Sequence, residues 1–410
     1  MLNKVILLLG SNGEYIFFTI FMLLGMHYEG GLESNIYHIY WIGICIAVVL
    51  KIVHLFISDF DKKYQLVLGI IIIISIFTLI FGTSIILYPN NELNESYAIF
   101  FLAFAIPAFL VGILCSESQQ RINIGKIILL FIPIGTITLI INMTRFLEVQ
   151  YLESAGGMSR LGAGYMAAQM FSATFCLLVS NNSLTKCIIP KFIKIKYFKI
   201  MLFFMLLLQF VVILFSASRG PIIAFILTLF LQILIFGPKK EGLMLFTSFM
   251  LLFYLMIFEL DVEVFGASIE RISTLFISNS EDISNGRSLL YERAIEMFLE
   301  SPVLGQGPMG FLCNSGYNIY PHNIILEWLV DYGLVGTFFW LLFMGYIINK
   351  YVCNFNFDGV ARIVFSMFIV NLVELFFSGS FATNGRFWYY IGFAMLLPQV
   401  SLNYEEKGEI

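Results

Sequence analysis

Long apolar runs, each broken by only a few polar residues, recur through most of the chain. A helix of about 20 apolar residues crosses a bilayer. Twelve stretches reach that length, at roughly 4–26, 35–57, 65–87, 95–115, 126–146, 161–180, 198–217, 219–237, 242–258, 323–348, 360–378 and 388–402. The first is the weakest, interrupted by Ser11, Asn12 and Glu14. The seventh and eighth are separated only by Ser218 and Arg219, which predicts a tight hairpin or a broken helix. Backbone breaks at membrane depth only where protein or water satisfies it.

One sizeable polar segment, 259–322, interrupts this pattern and predicts two short helices, about 263–277 and 286–300. In the second, Arg287, Tyr291, Ala294 and Phe298 share one face, while Glu292, Glu296 and Glu300 take the other. That helix is expected on the membrane surface, with Arg287 aimed along its apolar face towards the bundle. SPVLGQGPMG follows: Pro302 stops the helix, and Gly305, Gly307 and Gly310 permit positive φ or close approach. The expected organisation is spans one to nine in 1–258, a large loop at 259–322, and three spans with a short tail in 323–410.

Composition points the same way. The 410 residues are 59% hydrophobic and only 12% charged, with a mean hydropathy of +0.89. A soluble domain carries about 25% charge, so the expected fold is an all-α polytopic membrane protein of about twelve transmembrane helices. The N-terminus runs into an apolar span with no small-residue cleavage site, which reads as an uncleaved first span. There are no 20–50-residue repeats. The net charge of -4 says little about partners, whereas the placement of the charges says more.

Lysine-bearing loops at 58–64, 116–126, 181–199, 237–242 and 349–362 alternate with loops nearly free of lysine. The basic set reads as cytoplasmic, with both termini inside. All 14 lysines then lie on the inner side, whereas seven of nine arginines (Arg145, Arg160, Arg219, Arg271, Arg287, Arg293 and Arg386) lie outside. The positive-inside rule predicts few outer cations of any kind. A set made only of arginine suggests phosphate or carboxylate recognition, because the guanidinium fork grips such anions bidentately. The alternative is pairing with outer acids such as Glu148, Glu153, Glu270 and Glu296.

Three positions carry the chemistry most directly. In Ser218-Arg219-Gly220-Pro221, the proline suits the first turn of a helix and sets Arg219 at a helix N-terminus, where free N–H groups attract anions. The alternative is an interfacial arginine reaching for headgroups. His322 and Asn323 stand at the lip of the tenth span, and histidine is the side chain best suited to take a proton near neutrality. Inside that span Glu327 and Asp331 are expected to face a polar cavity. Glu374 and Arg386 fall at similar depth, as a helix-stapling pair or as ligands. Arg293, three residues before Glu296, is expected to make a local ion pair.

Six cysteines show no CxxC or Cys/His cluster and read as inert thiols. No phosphate-binding loop, no outer DxD-type acid cluster and no cytoplasmic domain is visible. No metal, cofactor or nucleic-acid partner is therefore expected. Any transfer would use a donor already activated outside the cell, with arginine balancing the leaving-group charge.

SRGP at a mid-chain span, then GR-x3-Y-x2-A, P-x2-G-x-G and HN-x9-G-x2-G in and after a large outer loop, resembles the O-antigen ligase/polymerase superfamily. The motifs cover 218–336, and the span layout covers the rest. The family commonly has Trp where this chain has Tyr291. The resemblance implies a metal-independent, inverting glycosyltransferase of the GT-C type in the bacterial cytoplasmic membrane. Its donor would be a glycan on undecaprenyl pyrophosphate, used at the outer face among membrane lipid, alongside a flippase and a chain-length regulator. Arg219 and Arg287 would hold the donor pyrophosphate, and His322 would serve as general base or acceptor-orienting group. Arg145, Arg160, Arg293, Tyr291, Asn323, Glu327 and Arg386 complete the expected substrate-binding set. A Wzy-type repeat-unit polymerase is the expected member, because that group is numerous and its signature loose. Arg145 and Gly156 also fit its R-x10-G spacing in the first outer loop, although the large loop lacks that spacing. A ligase acting on lipid A core is the alternative. A transporter using Glu327, Asp331 and Glu374 as a relay is the rival of another class; a single helix break, near 218, speaks against it.

Overall fold

In the computed structural model, residues 60–397 are described apart from 90, 117, 149–153, 156–157, 180–194, 217, 237–239, 259–286 and 355–357, together with a few positions between 42 and 53. The first expected span, most of the second and the 263–277 helix lie outside the described residues. The rest is mostly helical, with turns and loops between the helices and a short hairpin of two-residue strands, β1 (Ser154–Ala155) with β2 (Met158–Ser159). The helices are α1 (Phe60–Phe77), α2 (Thr83–Leu87), α3 (Glu92–Phe100), α4 (Ile106–Cys115), α5 (Ser118–Glu148), α6 (Arg160–Val179), α7 (Ile195–Phe215), α8 (Arg219–Phe236), α9 (Lys240–Phe258), α10 (Arg287–Glu300), α11 (Gly310–Asn314), α12 (Ile324–Asn354), α13 (Gly359–Phe377) and α14 (Gly385–Met395). Single π-turns, at Thr78–Gly82 and Phe101–Ala105, join α1 to α2 and α3 to α4.

Among the described residues, seven helical stretches are long and apolar enough to cross a membrane, and the protein is an all-α polytopic membrane protein. The last expected span differs from its expectation: α14 starts at Gly385 and runs for 11 residues, about half the length of a crossing.

α6 sits at the centre, packed by α7, α8 and α13. Its residues Ala163 to Leu177 are all buried, with no amphipathic stripe, as expected of a helix surrounded by other helices. Side-chain amides tie the bundle where the hydrophobic effect between helices is weak. Gln209 of α7 donates to Thr136 of α5 (2.8 Å) and to Thr174 of α6 (3.2 Å). Gln232 of α8 donates to the Ser172 carbonyl at 3.1 Å.

The 302–336 region is the most specific piece of construction. α12 is two helices joined across a kink at Gly333 (φ 62°, ψ -164°). In an unbroken helix the Leu334 and Val335 N–H groups would donate to the carbonyls of Val330 and Asp331. Here each partner is redirected to the loop. Gln306 N–H donates to Val330 (2.7 Å) and Gly307 N–H to Asp331 (2.9 Å), while Leu334 N–H donates to Pro302 (2.9 Å) and Val335 N–H to Val303 (3.2 Å). The two backbones meet at Gly305 and Gly333, both at positive φ. A β-carbon at Gly333 would fall 2.4 Å from the Val303 oxygen, and one at Gly305 would fall 2.5 Å from the Asp331 carbonyl carbon. This clasp is the physical content of the P-x2-G-x-G and G-x2-G spacings.

α10 is seated on the clasp. Ala294 and Met297 are buried against Phe311 and Val330, with Leu290 and Phe298 beside them. The helix therefore packs on protein, anchored by Met297 and not by Tyr291.

Candidate active site

Three helices (α6, α8 and α10) begin on an arginine, and in α14 arginine is the second residue. These are Arg160, Arg219, Arg287 and Arg386. A cation at a helix N-terminus faces the positive end of the dipole, at a cost of roughly 0.3–1 kcal/mol. A bound anion turns that conflict into attraction.

Their helices meet at one end of the bundle. A β-carbon on Gly164, four residues into α6, would fall 2.6 Å from the Ser216 hydroxyl and 2.7 Å from Pro221 of α8. One on Gly220 would fall 2.0 Å from the Tyr165 hydroxyl and 3.5 Å from Phe377 at the end of α13. Arg386 pairs with Glu374 of α13 at 2.7 Å, and Asn371 donates to the same carboxylate at 2.9 Å. Tyr165 lies within electrostatic reach of Glu374, Arg287 and Arg386. The first turn of α8, at Gly220, and the Arg287 charge, 67 positions apart in sequence, thus converge on the same tyrosine. Among the described residues no carboxylate lies within ion-pair distance of Arg287.

His322 joins this group through Arg287. Its backbone is left-handed (φ 56°), a conformation that costs about 1–3 kcal/mol outside glycine and concentrates at functional sites. Its ring sits edge-on to Tyr320, with centroids 4.5 Å apart. Its Nδ1 is buried with no hydrogen-bond partner among the described residues. Burial, and then the Arg287 charge, push its pKa down to about 4, so the imidazole is neutral at physiological pH. A neutral imidazole keeps one nitrogen lone pair, which a donating hydroxyl can use.

The family model described as O-antigen ligase matches residues 204–341. No curated protein matches the chain. The match covers about a third of the chain and supports its resemblance to the O-antigen ligase/polymerase superfamily. The matched segment runs from within α7 into α12 and contains Arg219, Arg287, His322 and the clasp. It excludes Arg160, Tyr165, Glu374 and Arg386, which α6, α13 and α14 bring to the same end.

The other expected residues take more structural positions. Asn323 caps α12, its side chain accepting from Ile325 N–H (3.0 Å) and Leu326 N–H (3.2 Å). Glu327 is buried and accepts from the Ser380 hydroxyl. Asp331 accepts from Met309 N–H (3.0 Å) and Phe311 N–H (3.1 Å), capping α11 and locking the clasp. Arg293 pairs with Glu296 at 3.1 Å on the exposed side of α10. Tyr291 lies partly buried one turn after Arg287. Arg145 falls in the last turn of α5, and Gly156 lies outside the described residues.

A narrow crevice is lined by Tyr97, Met309, Phe311, Leu312, Tyr320, Pro321, Glu327 and Asp331. Glu327 and Asp331, expected to face a polar cavity, line this crevice among largely apolar walls. The expectation of a single helix break is corrected by the second one at Gly333. That break does not revive a relay: Asp331 is held by backbone N–H groups and Glu374 by Arg386. Tyr165 and the clasp were missed. Tyr165 sits in an apolar run five residues after Arg160 with nothing to single it out, and the clasp needs contacts 24 and 32 residues apart.

Proposed function

We propose that this protein is a polysaccharide polymerase of the cytoplasmic membrane. It joins oligosaccharide repeat units carried on undecaprenyl pyrophosphate, at the outer face. The observation that carries the reading is the meeting of arginine-headed helix N-termini with a neutral, left-handed histidine at one end of an apolar bundle. The glycan C1–O bond to the diphosphate breaks as a hydroxyl of the incoming lipid-linked unit bonds to C1, with inversion. The hydroxyl proton passes to His322 and then to water, and undecaprenyl pyrophosphate leaves with its charge held by Arg219 and Arg287. Arg160, Arg386 and Tyr291 frame the donor, and Arg145 and Arg293 meet the glycan at the rim.

Purified full-length protein in vesicles, given a lipid-linked repeat unit, should build a ladder of products without added metal. Arg219→Ala should lower the rate by at least about 100-fold, the scale seen when one preorganised charge-stabilising donor is removed. A normal ladder from that variant refutes the assignment. The matched family description favours a second reading, an O-antigen ligase with the same donor chemistry. If glycan appears on added lipid A core and not on a second repeat unit, the ligase reading replaces the polymerase.

A further inference from the structure

We propose that the Tyr165 hydroxyl is a further phosphate-binding group of this site, donating its hydrogen bond to the lipid diphosphate beside the N-terminus of α8. The proposal deepens the proposed function and rests on it.

Tyr165 is 1% exposed, yet its hydroxyl has no hydrogen-bond partner among the described residues. Buried tyrosine hydroxyls normally find one, since an unmade bond costs about 1–3 kcal/mol. The neighbouring chain is shaped around this atom. The hydroxyl occupies the space where Gly220 would carry a β-carbon, 2.0 Å from that position, so no side chain fits there while Tyr165 stands where it does. Gly220 is the second residue of α8, an 18-residue helix whose first N–H groups have no partner within the helix. Pro221 supplies no N–H, leaving the tyrosine as an extra donor in the turn where the backbone lacks one.

The charged groups around the hydroxyl argue for an anionic guest. Arg287 and Arg386 lie within its electrostatic reach, and among the described residues Glu374 is the one acid that also acts on it. Glu374 already holds Arg386 at 2.7 Å and accepts from Asn371 at 2.9 Å. A hydroxyl surrounded by guanidinium groups is polarised to give its proton to an acceptor and gains little as an acceptor itself. A phosphate oxygen fits that requirement. The geometry also explains the glycine of the S-R-G-P motif, which spares the space the hydroxyl uses.

The test compares wild type with Tyr165→Phe, which keeps the ring and removes only the donor. The readouts are binding of farnesyl pyrophosphate to detergent-solubilised full-length protein, the KM for the acceptor unit, and the unfolding temperature. Tyr165→Phe should bind farnesyl pyrophosphate about 10-fold or more weakly, the scale of a hydrogen bond to a charged group. Its acceptor KM and unfolding temperature should stay unchanged. Unaltered affinity overturns the proposal. A lowered unfolding temperature also overturns it, because the hydroxyl is then a packing group. Phosphatidylglycerol displacing farnesyl pyrophosphate mole for mole would make the site one for bulk headgroups and overturn it too. If wild type neither binds farnesyl pyrophosphate nor transfers glycan from a lipid diphosphate, the functional reading itself fails. If wild type does both and Tyr165→Phe matches it, only the tyrosine assignment falls.

Discussion

His322 illustrates how one residue's surroundings set its chemistry. Free histidine is half charged near pH 6.5, whereas burial and the Arg287 charge hold His322 near 4. In the role of base proposed for it, His322 is therefore competent well below neutrality. The acid limb of kcat/KM should fall as pH drops through about 4, and not through 6.5. Arg287→Gln removes the second cause and leaves the first. Its residual activity should show that limb displaced upwards, towards 6.5, in addition to weaker donor binding. A pH profile of wild type centred near 6.5, or a limb unmoved in Arg287→Gln, would separate the histidine from the arginine and dismantle the catalytic pairing. The sequence exposed these residues because their types are costly where they stand: a charge between two apolar spans, and a His-Asn pair at a span's lip. It did not expose the role of Asn323, since an N-cap and a ligand demand the same side chain. Nor did it expose the capping role of Asp331, whose partners lie 20 and 22 positions away.

At the scale of elements, hydropathy located helices well and their internal geometry poorly. Nine of the expected spans coincide with described helices, because about 20 consecutive apolar residues leave few alternatives. The reversal at Gly333 changes one residue's dihedral angles within an apolar run, which no hydropathy window can register. The clasp makes a sharp prediction. Gly333→Ala demands positive φ of a residue with a side chain and drives that side chain against the Val303 oxygen, 2.4 Å away. It should destabilise the protein by about 2 kcal/mol or more and release α10 from its seat. Gly345, farther along the same helix, has nothing within 4 Å of a β-carbon. Gly345→Ala should be neutral or slightly stabilising, by up to about 1 kcal/mol. Thermal unfolding of the two detergent-solubilised variants decides the matter; equal midpoints would mean that the clasp contributes nothing to stability.

Across the whole molecule most arginines and the lysines gather at opposite ends of the bundle, with Arg121 and Arg362 at the lysine end. Arg160, Arg219, Arg287 and Arg386 begin helices at the end where Glu374, Tyr165 and His322 meet. Lys196, Lys199 and Lys240 begin helices that start from the other end, and Lys350 lies one turn before α12 finishes there. Because lysine-rich ends stay in the cytoplasm, the arginine end should face outwards, where a lipid-linked glycan is delivered. Two single-cysteine variants of an otherwise cysteine-free chain test this orientation in intact cells. Glu292 lies on the exposed side of α10 at the arginine end, and Cys353 is exposed near the end of α12. A membrane-impermeant maleimide should label Glu292→Cys directly and Cys353 only after permeabilisation, as thiolate reactivity follows access. Labelling of Cys353 alone in intact cells would turn the molecule over and put the arginine-headed helices in the cytoplasm. The donor chemistry would then need a different substrate, because a diphosphate carrier loaded on the cytoplasmic side meets no acceptor chain there.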